Sequence, residues 1–201
     1  MKNRIETEKA ILEAVTSIVR ERGFAALGVN AVAEAAGVSK VLIYRYFGGY
    51  RELLEDWALR RNFWIKGTVQ AEEAIAAAGG DRLVIASLLK NLIRAQAEEL
   101  RADRVSREIL RWFLAVEDAA AASVMARLEE RGASLAAAVA RELGGGLDLG
   151  ALSAIVISGI YYLALLADRA EVFNDVDIHT DAGWLRILSA LDVLVDTLVR
   201  T

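Results

Sequence analysis

Hydrophobic residues in the first 50 positions recur every three or four residues, which is the spacing of a helix with one buried face. This spacing predicts three helices, over residues 4–22, 29–36 and 39–47. Asn3 is suited to begin the first helix and Gly23 to end it, because a short polar side chain caps free N–H groups and glycine adopts helix-ending conformations. Ser39 and Gly48 are suited to bound the third helix in the same way.

The helical spacing continues in longer segments beyond Gly49. It predicts six more helices, over residues 50–78, 81–102, 105–114, 117–143, 149–167 and 182–199. We expect an interruption of the first of these near Gly67, because glycine is a weak helix former. No segment alternates apolar and polar residues as a strand does. The pattern therefore predicts an all-α fold of about nine helices.

Residues 31–47 combine two short helices with a tight turn. A helix-turn-helix needs a small residue where the helices cross, a glycine in the turn and an apolar residue beneath it, and Ala33, Gly37 and Val38 meet these needs. Ile43 and Phe47 are four residues apart and are expected to face inward. The opposite face of the second helix then carries side chains suited to phosphates and base edges. These are Lys40, Leu42, Tyr44, Arg45 and Tyr46.

The segment from Ile11 to Leu54 resembles the N-terminal domain of the TetR family of bacterial repressors. The matching stretches are Gly23-Phe24, Val32–Ser39, Ile43–Phe47 and Glu52–Leu54. The resemblance implies a helical homodimer with a three-helix DNA-binding head and a C-terminal helical domain for ligand binding and dimerisation. Ligand binding would shift the two heads. We predict a DNA-binding domain over residues 1–48 and a ligand-binding and dimerisation domain over residues 49–201.

The resemblance also implies which residues contact DNA. On the second helix of the motif they are Lys40, Leu42, Tyr44, Arg45 and Tyr46. Asn30, Ser39 and Tyr50 complete the predicted set. Two positions depart from the family pattern, since Gly28 stands where Thr or Ser is usual and Tyr50 where Lys is usual. We therefore expect a weaker attraction to phosphates.

Composition narrows the functional class. The 201 residues include no cysteine and no proline, and the formal net charge is −4. The lack of cysteine excludes disulfides and thiol catalysis and fits a reducing compartment. The chain starts with no apolar signal segment, so we expect a cytoplasmic protein. The first 60 residues hold 9 Lys/Arg and 8 Asp/Glu, so the net negative charge lies in the remainder. This asymmetry has the sign expected of a DNA-binding head but is small, and charge alone does not indicate DNA binding.

No catalytic or metal-binding constellation stands out. The single histidine, His179, lies in a polar loop beside Asp177 and Asp181, and we favour an exposed side chain over a metal ligand. Carboxylate pairs such as Glu98-Glu99 sit among arginines, as on a solvated helix face. We predict no catalytic residue, no metal, no cofactor and no enzymatic activity.

Aromatic residues beyond the motif indicate either core packing or a pocket wall. Ligand pockets are mostly apolar with a few polar groups. The candidates for lining a pocket are Trp64, Asn91, Gln96, Trp112, Phe113 and Tyr161. Few cationic residues are expected to point inward, which favours a lipophilic effector over a strongly anionic one.

Residues 149–167 contain no charged side chain, a length that could span a membrane. Asp148 and Asp168 flank the segment without basic or tryptophan anchors, so we favour a helix buried against a second subunit. Paired with the last helix, it would form a four-helix bundle across a two-fold axis. The predicted interface residues are Ile157, Tyr161, Leu165, Trp184, Leu188 and Leu191.

These features predict a dimeric repressor of a palindromic double-stranded DNA operator, released by a small effector and with no membrane association. The alternative is a helical small-molecule-binding protein that has lost operator binding. The departures at Gly28 and Tyr50 keep this alternative open.

Overall fold

The computed structural model describes residues 3–61, 63–115, 118–144 and 146–200, without the side chains of residues 63–66 and 115. The described residues form ten α-helices. They are α1 (Arg4–Arg22), α2 (Val29–Ala36), α3 (Lys40–Phe47), α4 (Tyr50–Arg61), α5 (Phe63–Ala77), α6 (Arg82–Ala102), α7 (Arg104–Ala115), α8 (Ala119–Leu143), α9 (Leu149–Leu166) and α10 (Asp181–Arg200). The predicted all-α fold is confirmed.

One detail of the predicted helices was wrong. In the segment predicted as one helix over 50–78, the described residues form α4 and α5, and residue 62 lies outside the described residues. The interruption expected at Gly67 does not occur, because Gly67 lies inside α5. A glycine inside a helix costs only about 1 kcal/mol relative to alanine, which packing readily offsets.

A short β-hairpin was also missed. Strand β1 (Val172–Phe173) pairs antiparallel with β2 (Val176–Asp177). Two-residue strands are too short to show an alternating pattern. The available signal was the turn between them, since Asn174 and Asp175 both adopt positive φ, as the central pair of a tight hairpin turn must.

The chain divides into two compact units. The first comprises Met1–Asn62 with Asp103–Arg127, and the second Phe63–Ala102 with Leu128–Thr201. The first unit buries one apolar face of α1, whose Ile11 and Val15 have no exposed surface, together with residues of α2, α3, α4 and α7. A hydrogen bond of 2.9 Å from Trp57 Nε1 to Thr16 Oγ1 ties α4 to α1. The DNA-binding boundary after residue 48 stays a prediction.

The second unit is a helical bundle with an aliphatic core. Ile75 of α5, Ile85 and Leu92 of α6 and Val139 of α8 belong to one buried cluster. Charged side chains join α6 to α10, through Lys90–Asp196 at 2.8 Å, Arg94–Asp192 and Arg101–Asp181 at 2.5 Å. These ion pairs engage acidic side chains of α10 with cationic side chains of α6.

Candidate functional site

The turn between α2 and α3 sets the angle of the second helix. Gly37 ends α2 with φ 65° and ψ 37°, the left-handed conformation that glycine adopts without steric cost. The amide of Val38 donates to the carbonyl of Ala33 at 3.0 Å, which closes the turn. Ala33 is 7% exposed and Ile43 is fully buried, so the two helices cross closely. The scaffold therefore has the geometry that the sequence predicted.

The outer face of α3 presents cations and hydroxyl groups to solvent. Lys40, Tyr44 and Arg45 are exposed, while Leu42 and Tyr46 are partly buried. None of the described residues forms an ion pair with Lys40 or Arg45, so both charges are available to phosphates or guanine edges. Val41 is 65% exposed on the same helix and offers a methyl contact that the sequence reasoning did not include.

Arg4 lies beside this face, and the sequence reasoning missed it. Its guanidinium carbon is 5.3 Å from the centre of the Tyr46 ring, a cation–π distance. The side chain also binds Glu8, with 2.6 Å between Arg4 Nε and Glu8 Oε1. No local sequence signal pointed to Arg4, because α1 and α3 meet only in the folded chain. Tyr46 is thus partly covered rather than freely presented.

The remaining predicted DNA contacts lie at helix starts. Asn30 and Ser39 are exposed, and the Ser39 hydroxyl does not cap α3, which leaves it available to a phosphate. Tyr50 is partly buried, and burial, followed by the nearby Asp118 carboxylate, raises the pKa of Tyr50 to about 12. The Tyr50 hydroxyl therefore stays protonated at neutral pH and can still donate a hydrogen bond.

Residues 11–56 match the family model described as bacterial regulatory proteins, tetR family. The N-terminal region of the chain therefore matches the TetR family, as the resemblance predicted. A search among curated proteins gave no match.

Solved structures show the same fold over nearly the whole chain. NalD from Pseudomonas aeruginosa, the secondary repressor of the MexAB-OprM multidrug efflux pump, has TM-score 0.64 and 18% identity, covering 94% of this chain and 96% of its own. FadR from Bacillus subtilis in complex with stearoyl-CoA has TM-score 0.60 and 16% identity, with 95% and 96% covered. A TetR-family regulator from Marinobacter aquaeolei VT8 has TM-score 0.56 and 21% identity, with 92% and 95% covered. These similar structures are of regulators rather than enzymes.

The predicted ligand residues are distributed over both units. Trp112 is buried in the first unit, where its ring stacks on Phe24 at 4.5 Å, and Phe113 lies beside it. Asn91 is exposed on α6. The side chain of Trp64 lies outside the described residues. The ring packing of Trp112 supports a structural role, and its place in a ligand site stays a prediction.

Among the described side chains of the second unit, the predicted ligand residues that are buried or partly buried are Gln96 and Tyr161. Gln96 is 5% exposed, and its Oε1 has no hydrogen-bond partner among the described residues. Tyr161 is partly buried, and burial, followed by Glu129, raises its pKa to about 12. Thr68, a residue the sequence reasoning missed, is also fully buried in α5. Among the described side chains, no cluster of three His, Asp or Glu residues could hold a metal ion.

The predicted dimer residues lie on two different faces. Trp184 and Leu188 are 1% and 6% exposed within their own protomer, where Trp184 Nε1 donates to the Ile178 carbonyl at 2.7 Å. Side chains buried in this way present little surface to a partner, and their place in the dimer interface stays a prediction. Ile157, Tyr161, Leu165 and Leu191 are partly buried. Large apolar side chains are exposed elsewhere on α9 and α10, and these are Ile155, Tyr162, Leu185, Val193 and Leu194.

Proposed function

We propose that this TetR-family protein is a dimeric transcription repressor that a small lipophilic effector releases from its operator. DNA binding is supported chiefly by the outer face of α3. There Lys40, Tyr44 and Arg45 are exposed, and the two cations have no ion-pair partner among the described residues. Cations and hydroxyls on the second helix of this motif serve as contacts to phosphates and base edges. Ile43, on the opposite face of α3, is fully buried and anchors the helix in the core of the first unit.

Selection of a bound sequence from random DNA duplexes tests this proposal. We expect a palindrome whose half-sites are about 34–36 Å apart, because a two-fold dimer presents two identical heads. In a gel-shift assay on that sequence, Lys40→Ala and Arg45→Ala should each weaken binding at least about tenfold, since a good base or phosphate contact contributes about 1–3 kcal/mol. Arg131→Ala is the matched control, because Arg131 is exposed on α8 of the second unit. If both α3 variants bound the sequence as tightly as the wild type, the outer face of α3 would not be the DNA-contacting surface.

The second candidate function is that of a protein with the same fold that no longer binds an operator. Gly28 offers no side-chain oxygen at the start of α2, and Tyr50 is partly buried where the family usually has lysine. A chain with these losses could act as a helical small-molecule-binding protein. The same selection separates the two functions, since such a protein would enrich no sequence.

The exposure of α9 supports a dimer. Within the described residues, Leu149–Leu166 is the one helix long and apolar enough to cross a membrane, with mean hydropathy 2.1 and only 11% of the segment buried. Such a surface needs a cover, and two-fold pairing supplies one without opposing charges, because α9 carries none. We propose that the exposed faces of α9 and α10 meet their copies in the partner subunit.

The effector is proposed to bind in the second unit. FadR from Bacillus subtilis, a regulator of this fold, was solved in complex with stearoyl-CoA, a ligand with a long acyl chain, which supports a lipophilic effector. The aliphatic core between α5, α6 and α8 suits an apolar ligand body. Effector binding there would lower operator affinity by favouring a conformation of the dimer that holds the heads differently.

A further inference from the structure

An apolar surface lies among the cations on the outer face of α3. In the described part of the first unit, four large apolar or aromatic side chains are exposed, and two of them, Val41 at 65% and Tyr44 at 50%, belong to α3. The other two lie on α1 and α7, and these are Ile5 and Leu114. Residues three positions apart share one face of a helix, so Val41 and Tyr44 are neighbours. Among these described residues, α3 is the one helix that exposes two such side chains on one face.

The fold itself gains little from a valine at position 41. The opposite face of α3 provides the contact with the core, since Ile43 is fully buried there. Valine is also a poorer helix former than alanine, because its branched side chain loses rotamer freedom in a helix. Apolar surface stabilises a structure only when it is removed from water. A molecule that covers Val41 therefore explains this side chain better than folding does.

The charges around Val41 favour DNA as the molecule that covers it. Lys40 is its neighbour in sequence, and Arg45 lies four residues further along the same helix face. Both are exposed, and neither has an ion-pair partner among the described residues, so both can attract phosphates. In the major groove of a duplex, each thymine presents a methyl group among base edges that are otherwise polar. An exposed valine flanked by cations matches this arrangement of phosphates and a methyl group.

Val41 also occupies the part of α3 from which base contacts are made. It is the second residue of the helix, and the N-terminal residues of the second helix in this motif reach base edges in the major groove. Leu42, the apolar residue that the sequence analysis placed in the contact set, is partly buried and presents a smaller exposed fraction. Val41 is therefore the aliphatic side chain of α3 that is most accessible to a base.

We infer that Val41 is a specificity-determining residue, which reads a thymine in each operator half-site through contact with the 5-methyl group of that base. This inference rests on the proposed DNA-binding function and names a base that the operator contains. Contact between the valine and the methyl group removes apolar surface of both from water, which stabilises the complex. Cytosine at the same position has no methyl group and would leave Val41 uncovered.

Replacement of thymidine by deoxyuridine tests the inference, because the two nucleosides differ only in the 5-methyl group. In the sequence selected from random duplexes, each thymine is replaced in turn, at the equivalent positions of both half-sites, and binding is measured by fluorescence anisotropy. At one position the replacement should weaken wild-type binding about fivefold or more, since apolar contact is lost in each half-site. Val41→Ala should weaken binding to the unmodified sequence by a similar factor.

The coupling between the two changes distinguishes a direct contact from a general loss of affinity. If Val41 contacts the methyl group, Val41→Ala should bind the deoxyuridine duplex about as tightly as the unmodified one, because the contact is already lost. The matched control is Leu114→Ala, which shortens an exposed apolar side chain on α7 and should keep the wild-type response to deoxyuridine. A repeated selection with Val41→Ala should no longer enrich thymine at that position.

Thermal unfolding without DNA separates a lost contact from a lost fold. Val41 is mostly exposed and alanine is the better helix former, so Val41→Ala should not lower the thermal midpoint by more than about 2 °C. Val41→Ile is a second variant that keeps an apolar side chain at the position. It should still bind the unmodified sequence more tightly than the deoxyuridine duplex.

Two outcomes on an enriched operator overturn the inference. One is that no thymine can be found at which deoxyuridine weakens binding, and the other is that Val41→Ala loses as much affinity on deoxyuridine as the wild type does. The repressor proposal then stands and only the base contact is wrong. If the selection enriches no sequence, the repressor proposal and the Val41 contact fail together, because no base is read.

Discussion

Gly28 departs from the TetR-family pattern that the head otherwise resembles, and the structure shows that the departure has no steric cause. The residue begins α2 with φ −173°, an extended conformation open to any residue, and a Cβ there would meet no atom within 4 Å. It provides no side-chain cap for α2. The position is therefore free to accept the serine or threonine that the family usually carries.

Gly28→Ser should accordingly strengthen operator binding. The hydroxyl can cap the first N–H groups of α2 and donate to a phosphate, so we expect a few tenths of a kcal/mol of added stability and about a threefold to tenfold gain in affinity. Gel-shift titration and thermal unfolding measure the two effects. Gly28→Ala is the matched control, since it adds the Cβ without the hydroxyl. Equal affinity of the Ser and Ala variants would contradict a phosphate contact.

The stability that Asp103 contributes depends on pH. It begins α7, accepts from Ser106 Oγ at 2.9 Å and binds Arg61 Nη2 at 2.6 Å. Burial raises the pKa of Asp103, but the hydrogen bonds from Arg61 and Ser106 and the attraction of the Arg61 charge outweigh it, so the net pKa is lowered. The ion pair therefore contributes stability above the unfolded-state value of 3.8, and this is lost as pH falls through the folded-state pKa.

Asp103→Asn should lower the free energy of unfolding by about 1–2 kcal/mol at pH 7, because it leaves the partly buried Arg61 without its charge partner while an asparagine can still cap α7. The deficit relative to wild type should shrink as pH falls below 3.8, since the wild-type carboxylate then becomes protonated. Urea unfolding at several pH values measures both. Asp148→Asn, at the start of α9, is the control for a cap change without an arginine partner. A pH-independent deficit would contradict the ion-pair explanation.

At the scale of elements, the β-hairpin is held by its contacts with the start of α10. A Cβ on Gly183 would lie 1.6 Å from the carbonyl oxygen of Asp177, a distance that no side chain tolerates. Arg186 Nη1 donates to the Asp175 carbonyl at 2.7 Å, and Ile178 is 1% exposed beneath the hairpin. Close backbone approach therefore explains why a glycine stands in the first turn of a helix, where it is otherwise a poor choice.

Gly183→Ala should therefore destabilise the protein, although alanine is the better helix former. We expect a loss of about 2 kcal/mol or more, because backbone must move, whereas Ala182→Gly should cost only the helix-propensity difference of about 1 kcal/mol. Thermal unfolding compares the two variants, and hydrogen exchange of the hairpin amides reports its displacement. A stabilised Gly183→Ala variant would show that the hairpin is not packed against α10 in this way.

At the scale of the whole molecule, the apolar surface of α9 and α10 is what one protomer leaves uncovered. Ile155 is 70% exposed and Leu185 58% exposed, while Leu188 is buried. The three positions allow dimerisation to be separated from folding. A charge on the exposed face should break the interface alone, and a charge at Leu188 should break the fold of the subunit.

Ile155→Glu and Leu185→Glu should each give a folded monomer that no longer binds a palindromic operator tightly, because two linked heads contribute to one binding event. Light scattering gives the mass and circular dichroism confirms the helices. Leu188→Glu should instead lose helical signal or aggregate. Dimeric mass for both exposed-face variants would place the interface on another surface.

The sequence by itself determined the parts of this protein that depend on neighbouring residues. The three helices of the head follow from apolar spacing, Asn3 caps α1 as predicted, and Gly37 adopts the left-handed conformation that the turn requires. The exposed Lys40 and Arg45 of α3 follow from the same register. Each of these features is set within a few residues along the chain, which is the range over which helix spacing and turn chemistry act.

Only the tertiary structure decided the contacts between distant segments. It placed Trp112 on Phe24 in the first unit, Arg4 over Tyr46, and Trp184 inside its own subunit. The apolar stripes of α9 and α10 are too wide for periodicity to tell the side that packs within the chain from the side left to a partner. The sequence also could not show that Gln96 Oε1 has no partner among the described residues, because hydrogen bonding of a buried atom depends on what the folded chain brings near.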